Sequence, residues 1–439
     1  MVGCREHVDE TRSNSTGIGV PLILILLCLI GVPGNAHAQN GVLDNTSSQD
    51  GLVTTDVLGS REGINAVAVQ SDAKIVAAGF ARNAITRQAE FALTRYTPNG
   101  ALDNSFGQNG RVTTDASPGD DSIVAVVLQP DGQIVAAGRA LVNGIASVIL
   151  ARYTERGVLD PTFAANGIVS IDAGVTTALA RQPDGKLVVA AVTFPAGGEA
   201  GSVARVNIDG SLDTAFGTDG VATLDFPVND IAVDADGAIA AAGSDAIVVG
   251  HDFEGPISRE VVAVARLTGD GQLDPAFGGT GKVTTDASLV ASRAVAVVVQ
   301  PDGMVVAAGN ANTTFLVARY AVDGSLDTSF GGTGVITTAV GEDGDQVFDA
   351  VLQEDGKIVV GGWAIDVATA NNFGLVRYNA DGSLDTGFGT AGKVITDFGN
   401  STPDIATAVA VAPGHRLVAA GATNFGDTPT DTFAIARYR

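Results

Sequence analysis

The histidines and cysteines of the sequence leave little room for the commonest catalytic chemistries. Both cysteines, Cys4 and Cys28, lie within the N-terminal segment 1–38, so the rest of the chain can form no disulfide and no thiolate metal site. Only two histidines follow this segment, His251 in a long loop and His415 in a repeated turn. We expect them on opposite faces of the fold, which argues against a histidine metal site and a Ser-His-Asp triad.

Carboxylates are the reactive groups that the chain has in excess. It contains 49 Asp and Glu against 25 Lys and Arg, a net charge of −24. Such a chain repels nucleic acid and anionic lipid, so we expect neither as a partner. The longest segment without a counterpart elsewhere in the chain, Ser244 to Glu260, mixes acids with an aromatic ring and an imidazole. Its candidate binding residues are Asp245, His251, Asp252, Phe253, Glu254 and Glu260.

A second acidic run resembles part of a calcium-binding loop. Glu342, Asp343 and Asp345 surround Gly344, but the twelve-residue pattern with its distal Glu is missing. Calcium binding and a solvated acidic turn both remain open at this run. We expect no other cofactor.

These residues are set in a repeat that fills the chain. A Gly-x-Leu-Asp phrase occurs seven times at nearly even spacing, with its aspartates at Asp44, Asp103, Asp160, Asp213, Asp274, Asp327 and Asp385. Each unit contains four runs of five or six residues rich in Val, Ile and Thr and bounded by Gly, Pro and Asp, which we label strands a to d. Four short strands per unit predict an all-β, seven-bladed propeller with four antiparallel strands per blade. A parallel β-solenoid is the alternative, but its repeats are shorter.

The chain begins with a d-type strand, Leu52–Thr55, and ends on a c-type strand, Phe433–Arg437. A last blade without its outer strand would expose an unpaired edge. We therefore predict that the N-terminal strand completes the last blade and closes the ring.

Three phrases resemble the delta-60 repeat family of exported bacterial proteins. They are Gln-Pro-Asp-Gly-Lys-Leu-Val-Val-Ala at 182–190, Phe-Leu-Val-Ala-Arg-Tyr at 315–320 and Asp-Gly-Ser-Leu-Asp-Thr-Ser-Phe-Gly-Gly-Thr-Gly at 323–334. The resemblance covers about residues 41 to 439 and implies a propeller outside the cytoplasm, with no known activity. Unit four departs from the pattern at Asp234, and the last unit departs from it at Ala412.

Residues that recur in every unit are interpreted as scaffold. Strand c carries an arginine in each unit, at Arg95, Arg152, Arg205, Arg266, Arg319, Arg377 and Arg437. We predict that each pairs with a repeat carboxylate out of water, rather than forming an anion-binding ring. A phenylalanine follows the repeat aspartate by three residues in six units, and we expect it to pack between blades.

The variable residues lie on the face formed by the d–a and b–c connections. Its d–a loops add the acidic residues Asp120, Asp121, Asp230, Glu342, Asp343, Asp345 and Asp404. The entrances of strand a should line the channel mouth, with Asn65, Val124, Thr177, Asn229, Val295, Phe348 and Thr407. Among these, only the two asparagines could bind a metal ion.

The N-terminal segment has the features of a signal peptide. Residues 20–32 form an unbroken apolar run that is too short to span a bilayer, and Ala36-His37-Ala38 supplies a cleavage site. We therefore expect a signal peptide at 1–38 and a single propeller at 39–439. After cleavage the protein would be periplasmic, cell-surface or secreted, with no membrane span.

Two functions remain open. We favour a non-catalytic, monomeric binding or scaffolding module that takes an envelope or extracellular protein or glycan on the variable face. The alternative is a calcium-dependent hydrolase resembling lactonase propellers. Three or more carboxylate or amide oxygens converging at the channel mouth would favour the enzyme.

Overall fold

The protein folds into seven four-stranded antiparallel sheets, which confirms the seven-bladed propeller. The computed structural model describes residues 41–439 except 143–144, 197, 253–254, 288–290, 343, 367–369, 400–402 and 424–430. Within these residues, no helix is long and apolar enough to cross a membrane. The proposed signal segment and cleavage site lie outside the described residues.

Each blade runs from strand a at the channel to strand d at the rim. The a strands are β2 (Glu62–Val69), β6 (Ser122–Leu128), β10 (Val175–Arg181), β14 (Val228–Val233), β18 (Ser292–Val299), β22 (Gln346–Leu352) and β26 (Ile405–Ala412). The b strands are β3 (Ile75–Arg82), β7 (Ile134–Val142), β11 (Leu187–Thr193), β15 (Ile239–Asp252), β19 (Val305–Ala311), β23 (Ile358–Asp366) and β27 (Arg416–Thr423). The c strands are β4 (Ala89–Tyr96), β8 (Ile145–Tyr153), β12 (Ala200–Val206), β16 (Gly255–Leu267), β20 (Thr314–Tyr320), β24 (Ala370–Tyr378) and β28 (Thr432–Tyr438). The d strands are β5 (Arg111–Thr114), β9 (Ile168–Ile171), β13 (Val221–Leu224), β17 (Lys282–Thr285), β21 (Val335–Thr338), β25 (Lys393–Thr396) and, from the N-terminus, β1 (Leu52–Thr55).

The N-terminal strand closes the ring as predicted. β1 is the outer strand of the seventh blade and pairs with β28 from Leu52 opposite Ala436 to Thr55 opposite Phe433. The first repeat aspartate, Asp44, is fully buried beside this strand and accepts hydrogen bonds from Arg437 and Arg439. The two ends of the described chain are therefore joined by a ladder and by ion pairs.

A β-bulge interrupts every a strand near its start. The register between strands a and b skips one residue in each blade, for example between Ile64 and Ala66 in blade 1. The glycine of the repeated strand-b sequence makes room for this bulge. A Cβ on Gly309 would lie 1.9 Å from the backbone oxygen of Arg293, and one on Gly421 would lie 1.8 Å from that of Ile405. A bulge re-aims side chains, and here it sets what faces the channel.

The strand-c arginines join each blade to the next. Arg152 donates to Asp160 of its own repeat at 2.9 Å and to the backbone oxygen of Ile208 in the next repeat at 2.6 Å. Arg319 repeats the pattern with Asp327 at 2.7 Å and the backbone oxygen of Ala380. Ion pairs of this kind are formed by Arg95–Asp103, Arg152–Asp160, Arg205–Asp213, Arg266–Asp274, Arg319–Asp327, Arg377–Asp385 and Arg437–Asp44. Neighbouring blades are thereby held in register on the face of the c–d turns.

The repeated phenylalanines lie beneath these arginines and between blades. Phe163 is fully buried among Val135 and Leu150 of blade 2 and Val189 of blade 3. The guanidinium of Arg152 lies 4.7 Å from the centre of its ring, a cation–π arrangement. The phenylalanines are therefore part of the core and do not form an exposed stacking surface.

Replacing one strand-c arginine should cost much stability. Arg319→Ala would leave the mostly buried Asp327 without its partner and remove the contact to the next blade. Losing one member of a buried pair costs on the order of 3 kcal/mol. We expect urea unfolding to show a loss of this size, whereas Arg156→Ala, which removes an exposed arginine of a c–d turn, should have almost no effect. Equal stabilities for the two variants would contradict a structural role for the strand-c arginines.

Candidate functional site

The seven bulged residues converge on one cavity at the centre of the ring. These are the positions expected from the sequence at the channel mouth, and all of them line a cavity of about 480 Å³: Asn65, Val124, Thr177, Asn229, Val295, Phe348 and Thr407. The cavity opens on the face of the d–a and b–c connections, because each bulge lies at the start of its a strand. Its size is within the range of about 300–1,000 Å³ typical of small-molecule sites.

Polar bulge residues also connect neighbouring a strands. Asn65 donates to the backbone oxygen of Ile123 at 2.7 Å, and Asn229 donates to that of Ala294 at 2.8 Å. Thr407 makes the same kind of bond to Ile64 across the closure of the ring. Because the amide nitrogens are used in this way, each asparagine keeps its side-chain oxygen as a further acceptor.

Two carboxyls follow the bulge where the other blades have alanine. The position after the bulge is Ala66, Ala125, Ala178, Ala296 and Ala408 in five blades, but Asp230 in blade 4 and Asp349 in blade 6. Both aspartates line the central cavity. Asp230 accepts a hydrogen bond from the backbone nitrogen of Val297 at 2.7 Å, and Asp349 accepts one from Val409 at 2.8 Å. Each carboxyl thus reaches the next blade while facing the channel.

Burial makes both channel carboxyls much weaker acids than an ordinary aspartate. Loss of hydration raises the pKa of Asp230 to about 8, although the Val297 hydrogen bond opposes the shift and the charge of Asp349 adds to it. Burial likewise raises the pKa of Asp349 to about 7. Near neutral pH these groups can therefore exist in either form, donating a hydrogen bond when protonated and accepting one when ionised. Perturbed pKa values of this kind cluster at functional sites.

Arginines and phenylalanines extend the cavity at its mouth. A second cavity of about 450 Å³ shares Asn65, Arg139, Phe348 and Thr407 with the first, so the two are adjacent. It adds two further arginines and an aromatic ring from blade 1, at Arg61, Phe80 and Arg82.

The long segment of blade 4 is a protruding hairpin rather than the loop expected from the sequence. Strands β15 and β16 run to Asp252 and from Gly255, and their pairing continues as far as these two residues. The outer strand β17 pairs only with Val262–Ala265. We call residues 246–252 and 255–260 the arm, because they pair with each other and no third strand of the described chain pairs with them. Within it, Val248, Val249 and Ile257 are exposed.

Among the candidate binding residues, the structure describes the side chains of Asp245 and Glu260. Asp245 forms an ion pair with Lys282 at 2.9 Å, and Glu260 lines a small cavity with Arg293 and Asn310. The side chains of His251, Asp252, Phe253 and Glu254 lie outside the described part of the structure.

In the acidic run of blade 6, Asp345 accepts hydrogen bonds from the backbone of its own loop. Asp345 is buried, and its two oxygens accept hydrogen bonds from the backbone nitrogens of Val340 at 2.6 Å and Gly341 at 3.0 Å. Glu342 is exposed, and Asp343 lies outside the described residues. Three other acidic residues occupy the same buried position before strand a and likewise accept loop amides: Glu62, Asp121 and Asp404. Among the residues that the structure describes, no group of three His, Cys, Asp or Glu side chains could hold a metal ion.

Five segments of the sequence match the model of a family described as a domain of unknown function (DUF5122) beta-propeller. They are residues 70–106, 129–163, 182–216, 300–330 and 353–388. The chain is a β-propeller repeat protein. In this propeller, each matched segment runs from the a–b turn glutamine to the buried phenylalanine after strand c. These segments belong to blades 1, 2, 3, 5 and 6, whereas blades 4 and 7 have Asp234 and Ala412 in place of the glutamine.

Solved structures resemble the propeller in fold alone. A catalytically inactive virginiamycin B lyase from Staphylococcus aureus with quinupristin superposes with a TM-score of 0.51 at 9% identity, over 88% of this chain and 98% of the lyase. The polysaccharide lyase Uly1 gives 0.47 at 11% identity, over 91% and 96% of the two chains. A protein of unknown function from Dyadobacter fermentans gives 0.42 at 15% identity, over 72% and 93%. No curated protein matches the sequence.

Proposed function

We propose that this protein is an exported, non-catalytic binding propeller of the delta-60 repeat type, which takes an envelope or extracellular partner on its variable face. Export is supported by the apolar run and the cleavage site of the N-terminal segment 1–38. Binding on this face is supported by the different composition of the two faces. The opposite face carries the repeated strand-c arginines that hydrogen-bond to the next blade, such as Arg152 to the backbone oxygen of Ile208. Rigid scaffolds present binding residues on the connections that vary.

The arm is the observation that carries this proposal. A two-stranded ribbon has two free edges and is marginally stable in water on its own. This ribbon also exposes three β-branched residues, Val248, Val249 and Ile257, at 46% to 57% of their surface. Apolar groups held in water on a projecting element are typical of a surface that a partner covers. The arm is therefore the part of the variable face that a macromolecular partner would contact first.

A triple substitution tests the arm without disturbing its strands. Val248→Thr, Val249→Thr and Ile257→Thr together keep β-branched side chains but remove apolar contact surface. We expect binding to the envelope fraction of the protein's own cells to weaken at least tenfold, with Tm unchanged, because each apolar side chain contributes roughly 1 kcal/mol or more when covered. Binding is measured by surface plasmon resonance on immobilised propeller.

The matched control lies on the opposite face. Val158, Ile208 and Val322 are exposed at 50% to 62% in c–d turns, and replacing all three by Thr removes a similar apolar area. This control should bind as the unmodified protein does. The arm has no such role if its triple variant binds normally, or if both triple variants lose binding equally.

A divalent-ion-dependent hydrolase is the second candidate function, and one observation favours it. Asn65, Asn229, Asp230 and Asp349 line the same cavity, so four carboxylate or amide side chains are available there, and an enzyme site would require three or more of their oxygens to converge. Calcium takes six to eight oxygen ligands of these types. Both carboxyls, however, already accept hydrogen bonds from the channel wall. Calcium-dependent hydrolysis of lactones or phosphoesters that disappears in Asp230→Ala/Asp349→Ala would establish the enzyme and overturn the binding proposal.

A further inference from the structure

Three arginines lie at the mouth of the channel in a strongly acidic protein. Arg61, Arg82 and Arg139 line one cavity together with Asp120 and Asp121, although the chain as a whole has a net charge of −24. Arg61 pairs with Asp431 at 2.9 Å, and Arg82 pairs with Asp120 at 3.3 Å. The charges of Arg61 and Arg82 are therefore compensated by neighbouring carboxylates.

Arg139 is the arginine of this mouth that is free to bind a ligand. It is exposed, and no carboxylate of the described residues lies within ion-pair distance of its guanidinium. It lines both the channel cavity and the mouth cavity, so this residue lies where the two meet. A guanidinium in this setting binds a carboxylate through two parallel hydrogen bonds. The two carboxyls of the channel below would repel negative charge, so a ligand would keep its carboxylate at Arg139 and present uncharged hydroxyls to the channel.

The other groups around Arg139 suit a hydroxylated ring. Phe80 and Phe348 contribute apolar ring surface at the mouth. Below them, the channel presents Thr177, whose hydroxyl oxygen is buried and has no partner among the described residues, together with Asp230 and Asp349. Carboxyl and hydroxyl groups both donate and accept hydrogen bonds, which is what the hydroxyls of a sugar require. Apolar walls with a few converging polar groups are typical of a small-molecule site.

We propose that the channel mouth is a binding site for a carboxylated saccharide, with the carboxylate on Arg139 and the sugar hydroxyls on the channel carboxyls. This site goes beyond the proposed function, because it takes a small ligand and is independent of the arm. The unpaired guanidinium supplies the charge recognition. The channel supplies the selectivity for hydroxyls over a simple anion.

Calorimetric titration with digalacturonate tests this assignment, with neutral galactobiose and inorganic phosphate as comparison ligands. We expect saturable binding of digalacturonate and at least tenfold weaker binding of the other two. Arg139→Gln should weaken digalacturonate binding at least tenfold. Arg156→Gln is the matched control, because this arginine of the same blade is also exposed and unpaired within the described residues but lies on the opposite face. It should leave the affinity unchanged.

Several results would overturn the assignment, and none depends on the arm. These are the absence of saturable digalacturonate binding, equal affinity for galactobiose, tighter binding of phosphate, or equal losses in Arg139→Gln and Arg156→Gln. The arm triple variant should keep its affinity for digalacturonate. A failure of the saccharide site would therefore leave the partner-binding proposal standing, and a failure of the arm would leave the saccharide site standing.

Discussion

A chain that starts at residue 57 should lose the cooperative unfolding transition of the closed ring, or show it at a much lower temperature. This deletion removes β1, so that β28 becomes an exposed edge along all of its length. It also removes Asp44, which is fully buried and pairs with Arg437, Arg439 and Arg416. Breaking a buried ion pair alone costs about 3–5 kcal/mol, and the lost ladder adds to this.

Two smaller changes separate these contributions. Asp44→Ala keeps the strand but leaves Arg437 without its carboxylate, so it should lower stability by about 3 kcal/mol. Asp50→Ala alters an exposed carboxylate of the same segment and should lower it by about 0.5 kcal/mol or less. The measurement is differential scanning calorimetry. An unchanged Tm for the chain starting at residue 57 would mean that the ring does not depend on its N-terminal strand.

The second large effect is an unusual dependence of stability on pH. Burial raises the pKa of Glu62 to about 7, that of Asp349 to about 7 and that of Asp230 to about 8, all from ordinary values near 4. The folded protein therefore binds more protons than the unfolded chain between about pH 4 and pH 8. By linkage, the stability that these groups contribute is fully present below about pH 4 and is lost as the pH rises toward 8.

The repeat carboxylates act in the opposite direction at lower pH. Burial alone would raise the pKa of Asp44, but hydrogen bonds from Thr46 and the charge of Arg437 outweigh it and lower the pKa to about 2. The pKa of Asp103 is lowered to about 2 by the equivalent contacts with Ser105 and Arg95. Their stabilising contribution is present above about pH 4 and is lost as the pH falls toward 2. We therefore expect maximal stability near pH 4 to 5.

The alanines at the equivalent position of the other blades suggest a substitution that tests this pH dependence. Asp230→Ala/Asp349→Ala installs the residue that five blades already have. One pKa unit corresponds to about 1.4 kcal/mol, so the variant should gain a few kcal/mol relative to the unmodified protein between pH 5 and pH 8. Glu354→Ala removes an exposed turn carboxylate and should leave the pH profile unchanged. Urea unfolding at several pH values measures the stability of each protein as a function of pH. If the stability of the unmodified protein did not fall between pH 5 and pH 8, the raised pKa values of these carboxyls would be contradicted.

The sequence was sufficient for the ring but not for the channel chemistry. The repeated phrase predicted seven blades, the closing strand and the residues at the channel mouth, because these features recur with the repeat. It did not single out Asp349, and it placed Asp230 only in an acidic loop. In a regular strand, successive side chains point to opposite faces. The bulge turns two successive residues, such as Phe348 and Asp349, toward one cavity, and a bulge cannot be inferred from alternation.

The acidic residues of the variable face have a more specific role than their composition indicates. Glu62 was not predicted as part of this face. Asp121 and Asp404 were placed only in its acidic d–a loops, and Asp345 in a run that could bind calcium or be a solvated turn. All four are buried and accept backbone hydrogen bonds from the loop before strand a. Such a role depends on how the loop folds back, which composition does not show. Comparison of strand a across the seven units would have revealed both this buried position and the two channel aspartates.

Hydrogen–deuterium exchange of the full-length protein, with and without the envelope fraction of its own cells, tests most directly that binding occurs on the variable face. We predict protection of the arm and of the strand-a entrances, such as Ile64–Ala66 and Val347–Asp349. The c–d turns at Gly157 and Gly324, on the face where the strand-c arginines bond to the next blade, should exchange at the same rate in both states. Protection confined to those turns, or no protection anywhere, would contradict a binding propeller that uses its variable face.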